Sequence, residues 1–214
     1  KVVFQGAYPA ACGERVWPVA YPAPREFAAR AVEGMWRELG GKLTGSVREG
    51  KVPAGLKPAF VSTSPALAEV VRDVNKYSNN VMAQHVLLTL ARQKNGVATL
   101  DGARETLRQW WQARLADVDA PAPDNGAGLS RDARITAQAL ARMLQAAWAS
   151  PVMPELVASL PIAGVDGTLR RSQSRAGTAH LKTGSLRDVM AVAGYVHAAS
   201  GRRYVLVAIV NHPQ

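Results

Sequence analysis

Two short stretches hold residue types able to do acyl-transfer chemistry: Ser78-Asn79-Asn80 and, about a hundred residues on, Lys182-Thr183-Gly184-Ser185. A hydroxyl is a poor nucleophile or proton shuttle at neutral pH unless a neighbouring base or cation lowers the cost. Lysine can supply that help where no histidine does, so Ser78 and Lys182 are candidates for a Ser/Lys pair. The Lys182 ammonium would also attract a substrate carboxylate. Thr183 and Ser185 add hydroxyl donors, and Gly184 lets a substrate backbone lie against a strand edge. Taken singly, each stretch is better explained by a helix-capping serine or a solvated lysine at a strand end. Only together do they carry an inference.

Their positioning depends on the elements around them. After Pro65, with Ser64 as N-cap, apolar residues at Leu67, Val70, Val71 and Val74 predict a helix to about Asn75. A second helical run follows over 81–91, so Ser78 and Asn80 fall at a helix-to-helix junction that exposes side chains at a fixed place. Leu107, Trp110, Trp111 and Leu115 form the apolar stripe of a helix over 101–115, and residues 120–129 read as loop. Thr136 caps a further helix that ends before Ser150-Pro151, and a short helix follows over 154–159. Lys182 lies on the approach to two apolar runs, 189–197 and 203–211, joined through Ser200-Gly201 as an antiparallel hairpin. Upstream, Phe27, Ala31, Val32, Met35, Trp36 and Leu39 share one face of a helix stopped by Gly40-Gly41. Residues 2–4, 43–47 and 59–62 read as short strands. Helices first and a hairpin last predict an α+β fold, with helices packed on an antiparallel sheet.

Composition narrows the partners. Hydrophobic residues at 48 % and charged residues at 20 % are globular values and exclude a disordered chain. No run reaches the roughly 18 apolar residues a membrane span needs, and no leader-like n- and h-region opens the sequence. A net charge of +10 suits a nucleic-acid partner, an anionic envelope polymer or solubility alone. The basic residues are scattered, with pairs at Arg170-Arg171 and Arg202-Arg203 and no longer block, which argues against nucleic acid. The single cysteine, Cys12, has no partner in the chain. The four histidines, His85, His180, His197 and His212, are too dispersed for a metal site.

Ser-x-Asn at a helical junction, followed by Lys-Thr-Gly on a strand, resembles the second and third signatures of penicillin-binding proteins and serine β-lactamases. The surroundings are more specific. Lys76-Tyr77-Ser78-Asn79-Asn80-Val81-Met82-Ala83-Gln84, Asp124-Asn125-Gly126-Ala127-Gly128-Leu129-Ser130-Arg131, Leu160-Pro161-Ile162-Ala163-Gly164-Val165-Asp166-Gly167-Thr168-Leu169 and His180-Leu181-Lys182-Thr183-Gly184-Ser185-Leu186 resemble the D-alanyl-D-alanine carboxypeptidase/endopeptidase family. These are the class C, low-molecular-mass penicillin-binding proteins, and the likeness runs over residues 25–212.

The resemblance implies a transpeptidase-like fold, present incompletely. Residues 25–214 would be the C-terminal part of the peptidase domain, and residues 1–24 the end of a preceding region. It implies catalytic roles for Ser78, Asn80 and Lys182: proton transfer to the leaving D-alanine, a hydrogen bond to the acyl-side amide, and a positive field for the terminal carboxylate. Thr183, Gly184 and Ser185 would bind substrate, the Ser185 N–H as an oxyanion donor, with no metal or cofactor. The implied partners are peptidoglycan stem peptides and β-lactams, in the periplasm or cell envelope, with neither nucleic acid nor a membrane span involved. The loop 124–130 is expected near the site by this likeness alone.

One departure counts against direct transfer. The family's nucleophile lies in Ser-x-x-Lys, and no serine here is followed by lysine at that spacing. The nucleophile is therefore expected upstream of Lys1, in a missing N-terminal part of the same protein, and the family's closing helix beyond Gln214. By itself the chain is expected to be inactive and to leave apolar sheet uncovered. Two alternatives stand beside the peptidase: a non-catalytic peptidoglycan-binding or regulatory module, and a β-lactamase or esterase of the same superfamily. Among lesser candidates, His85 is expected to be a helix residue without a catalytic role. At least one of Trp110 and Trp111 is expected in a core, and Asp166 fits a turn as well as a cleft.

Overall fold

The computed structural model describes residues 3–16 and 18–213. Contacts divide the chain into two compact units, Lys1–Ser62 and Thr63–Gln214. In the first, helix α1 (Pro24–Glu38) has a proline in its first turn and is laced by Glu26–Arg30 and Glu33–Arg37 pairs at helical spacing. Its predicted apolar face is real as a pattern but not as a core: Phe27, Val32, Met35, Trp36 and Leu39 are all exposed. The short strands expected over 43–47 and 59–62 are absent, as is strand at Val3 and Phe4; Val2 lies outside the described residues. β-propensity is a preference for a half-buried pleated surface, and none of the described residues of this unit is buried.

The second unit carries five helices and one sheet among its described residues. Helices α2 (Leu67–Tyr77), α3 (Asn80–Asn95), α4 (Leu100–Arg114), α5 (Ala137–Trp148) and α6 (Met153–Ser159) precede strands β1 (Ala179–Leu186), β2 (Val189–His197) and β3 (Arg203–Asn211). Polar side chains set several starts. The side-chain oxygens of Asn79, Thr99 and Thr136 accept from the backbone N–H of Met82, Gly102 and Ala139. The predicted cap of α2 fails. Ser64 donates to the Pro65 carbonyl, and the helix begins two residues later, where the Glu69 carboxylate reaches back to the Ala66 N–H at 3.1 Å. The order α2 to α6 and then an antiparallel β1-β2-β3 sheet is the predicted α+β arrangement.

Helix α5 is the hub of the core. One cluster joins Trp111 and Leu115 to Ala139, and a second joins Leu144 to Leu160 and Tyr195; Met143 packs against both. Trp111 is 2 % exposed and Trp110 42 %, so one of the pair does enter the core, its indole N–H donating to the Val118 carbonyl at 3.1 Å. The Tyr195 hydroxyl donates to the Leu144 carbonyl at 2.7 Å, so the ring is buried without an orphaned polar atom. Register then separates two sheet faces. Lys182, Ala193 and Val207 share the helix-covered face, while Thr183, Val192 and Ala208 share the other. On that second face Met190, Tyr204, Leu206 and Val210 are exposed.

Candidate active site

The α2–α3 junction is strained. Ser78 ends α2 with φ 52° and ψ 48°, the one described non-glycine residue with positive φ. An L-residue pays about 1–2 kcal/mol for that conformation, and such strain concentrates where the surroundings over-determine a functional geometry. Asn79 caps α3 immediately after, so the chain turns between two helices in two residues, and the Ser78 side chain faces a cleft of about 470 Å³.

The opposite wall is β1. Leu181 N–H donates to the Pro161 carbonyl at 2.9 Å and the Ala179 carbonyl accepts from Ala163 N–H at 2.9 Å, so odd-numbered residues of β1 point their backbone groups away from β2. By the alternation of an antiparallel ladder, the N–H groups of Thr183 and Ser185 project from the same edge. A single antiparallel bridge, Ile162 to His180, occupies the start of that edge, and no described strand pairs with the rest. Lys182 crosses the cleft from this wall: its ammonium donates to the Ser78 hydroxyl, and to the Thr183 carbonyl at 2.7 Å. Burial pushes the Lys182 ammonium below its ordinary value, toward the neutral form. The Thr183 and Thr168 hydroxyls lie 3.1 Å apart.

A third wall is the loop at 124–130, fastened to the helices beneath it. Asn80 donates from its side-chain amide to the Ala127 carbonyl at 2.6 Å, and Gly126 N–H donates to the Gln84 side chain at 2.7 Å. The Arg104 guanidinium holds the Asp124 carbonyl and carboxylate. A Cβ on Gly126 would stand 2.7 Å from Leu87 Cβ and 3.1 Å from the Ala83 carbonyl oxygen, so only glycine lets the loop lie this close to α3. Gln84 and Gly126 were not singled out as site builders from sequence, because each matters only through contact with the other.

All six candidate residues, Ser78, Asn80, Lys182, Thr183, Gly184 and Ser185, line this one cleft. The others go elsewhere. His85 is exposed on α3. His180 is half-buried, with Nδ1 3.2 Å from the Val157 carbonyl and its ring 5.4 Å from that of His197. Asp166 turns away from the cleft: its Oδ2 accepts from the Lys76 ammonium at 2.6 Å and its Oδ1 from Ile162 N–H at 2.8 Å. Lys76 is the residue that sequence reasoning missed. A lysine at the end of a helix reads as solvated, yet this one is 7 % exposed and also donates to the Leu160 carbonyl at 2.7 Å. Its carboxylate partner stands 90 residues away.

Comparison with known proteins places this chain in a family. The chain is 30 % identical over 200 residues to a D-alanyl-D-alanine carboxypeptidase of Actinomadura sp., an alignment covering 88 % of this chain and 37 % of that protein. It is 31 % identical over 174 residues to carboxypeptidase DacB of Mycolicibacterium smegmatis, covering 75 % and 38 %. The chain thus spans less than two-fifths of the curated relatives it matches. Penicillin binding protein 4 (dacB) from Haemophilus influenzae, solved with a β-lactam, superposes with a TM-score of 0.78 at 24 % identity, over 90 % of this chain and 46 % of that one. A predatory endopeptidase from Bdellovibrio bacteriovorus superposes at 0.56 with 20 % identity, over 68 % and 39 %. The helices and antiparallel sheet are therefore those of the penicillin-binding-protein fold. The family model for D-Ala-D-Ala carboxypeptidase 3 (S13) matches residues 1–214, and with that match over the whole length the chain belongs to the D-Ala-D-Ala carboxypeptidase 3 (S13) family.

Proposed function

We propose that these residues form the proton-transfer and substrate-binding walls of a serine-type D-alanyl-D-alanine carboxypeptidase/endopeptidase that acts on peptidoglycan in the cell envelope and binds penicillin. The observation that carries the reading is the hydrogen bond between Lys182 and Ser78, two residues 104 apart in sequence, beside the part of the β1 edge, Thr183 to Ser185, that no described strand pairs. A stem peptide adds to β1 as an extra strand, its terminal carboxylate near Thr183 and the Lys182 ammonium. Asn80 is near enough to offer its amide to the acyl-side peptide. The Ser185 N–H points from the free edge, where an oxyanion would form; such a donor contributes about 3 kcal/mol in related chemistry. The nucleophile is a serine of a Ser-x-x-Lys segment outside these 214 residues. Its attack on the scissile carbonyl gives an acyl-enzyme, Ser78 delivers the proton to the departing D-alanine amine, and water then releases the acyl group. Opening D-Ala–diaminopimelate cross-links needs the same steps with a different leaving amine.

One observation favours a second reading: the 214 residues contain no Ser-x-x-Lys. A module that keeps the cleft without the nucleophile would bind wall peptides and not cut them. Fluorescent penicillin separates the two. The full-length protein is expected to be labelled covalently and to release the drug slowly, while residues 1–214 alone remain unlabelled. Absence of label on the full-length protein removes the enzyme reading, and rapid β-lactam turnover without action on a D-Ala-D-Ala peptide makes it a β-lactamase. Lys182→Ala in the full-length protein should lower peptidase activity by roughly 10²-fold or more while the fold persists; near-normal activity would remove the role given to Lys182.

A further inference from the structure

The two walls of the cleft meet through the Lys182–Ser78 hydrogen bond, but a separate segment spaces them. Residues 160–168 are bonded to both. Toward α2, the Leu160 carbonyl and the Asp166 carboxylate both accept from the Lys76 ammonium, at 2.7 and 2.6 Å. Next to them the Asn75 side chain donates to the Ser159 hydroxyl at 2.7 Å. Toward β1, the Pro161 carbonyl accepts from Leu181 N–H, Ala163 N–H donates to the Ala179 carbonyl, and Thr168 meets Thr183. Asp166 ties the segment to itself by accepting from Ile162 N–H. Gly167, at φ 56°, presses so close that a Cβ there would stand 2.7 Å from the Lys76 carbonyl oxygen.

Neither Lys76 nor Asp166 lines the cleft. Stability alone does not explain a buried lysine here, since an apolar pair of similar volume usually serves a core as well or better. What a doubly anchored ammonium adds is a fixed distance, and Lys76 is two residues from the strained Ser78. Burial opposes ionisation of Asp166, yet the hydrogen bonds from Lys76 and Ile162 and the Lys76 charge outweigh it and hold the carboxyl below its ordinary value. The Asp166 carboxyl therefore stays ionised through the neutral range.

We infer that Lys76 and Asp166 are positioning residues, a charged strut that sets the Ser78 hydroxyl against the Lys182 ammonium. The role rests on the catalytic reading of Ser78 and Lys182, so the test has one arm that depends on that reading and one that does not. In the full-length protein, Lys76→Met and Asp166→Asn should each lower kcat on a D-Ala-D-Ala peptide by roughly 10- to 100-fold, the penalty of small misplacements of reacting groups. KM should change by less than about 3-fold. Rates are taken per site titrated with fluorescent penicillin, which discounts misfolded molecules. Lys76→Arg, which keeps donors for both acceptors, should restore most of the rate, and the double variant should be no slower than the worse single one. The second arm reads the Lys182 ammonium by nitrogen-15 NMR, with Ser78→Ala marking the signal of a broken contact. Asp166→Asn should move the Lys182 resonance most of the way to that mark. A kcat per titrated site within about twofold of the unmodified protein, with only the melting temperature lowered, overturns the strut, as does an unmoved Lys182 resonance. If the unmodified protein neither labels nor hydrolyses, the proposed function falls and the NMR arm alone decides the strut.

Discussion

Replacing Gly126 by alanine tests whether the loop at 124–130 is a built wall of the cleft. The added Cβ would stand 2.7 Å from Leu87 Cβ and 3.1 Å from both the Ala83 carbonyl oxygen and Gln84 Cα, all of them atoms fixed in α3. None is the flexible end of a side chain, so the loop itself must retreat. Overpacking of this kind destabilises by about 1–3 kcal/mol. The alanine returns about 0.4–1 kcal/mol by restricting the unfolded chain. The net loss, about 1–2 kcal/mol, corresponds to a Tm lowered by roughly 2–8 °C for a unit of this size. Retreat also draws Gly126 N–H off Gln84 and the Ala127 carbonyl off Asn80. The freed Asn80 amide should reduce kcat/KM on a D-Ala-D-Ala peptide by about tenfold, the worth of one hydrogen bond. Thermal melts and peptide kinetics on the same preparation supply both readouts. Gly184→Ala is the control for folding: its Cβ would meet only Ala191 Cβ at 3.8 Å, an ordinary contact. A Gly126→Ala protein melting within about 1 °C of the unmodified one, with kinetics unchanged, would show that the loop is not held against α3 as described.

Further outcomes follow from the core, the strand base and the uncovered sheet. Trp111→Ala should destabilise by about 3–5 kcal/mol in a denaturant titration, whereas Trp110→Ala should stay under about 1 kcal/mol; equal losses would contradict the assignment of Trp111 to the core. Burial lowers the His180 pKa, only partly opposed by the Val157 carbonyl, so the folded chain holds it neutral where the unfolded chain would protonate. Stability is thus undiminished above about pH 6.5 and falls as pH drops through that value. His180→Gln should flatten the Tm loss between about pH 7.5 and about pH 5.5, and an unchanged slope would refute the linkage. Met190, Tyr204, Leu206 and Val210 leave an apolar sheet face open, with a shallow hollow of about 290 Å³. Residues 1–214 alone should therefore self-associate, and Leu206→Lys with Val210→Lys should shift sedimentation toward monomer; a soluble monomer with a sharp cooperative melt would contradict this.

Much of the fold was legible because periodicity and capping are local. The α3, α4 and α5 helices, the β2–β3 hairpin and the entry of at least one of Trp110 and Trp111 into the core all follow from spacing over a few residues. The same locality misled in the first 62 residues, where strand-like composition formed no strand among the described residues and the apolar face of α1 stayed largely exposed. The residues that line the cleft were legible by type and by family likeness, and Ser78 at a helical junction was legible from its turn-forming neighbours. What sequence could not supply was distance. That Lys182 reaches Ser78, that Gly126 must be glycine because Leu87 is there, and that Lys76 is buried on Asp166 are facts about residues 39 to 104 positions apart. A hydrogen bond or a steric contact acts over a few ångströms of space and is indifferent to separation along the chain. The sequence therefore determined which chemistry was on hand, and the tertiary structure alone decided which groups were close enough to perform it.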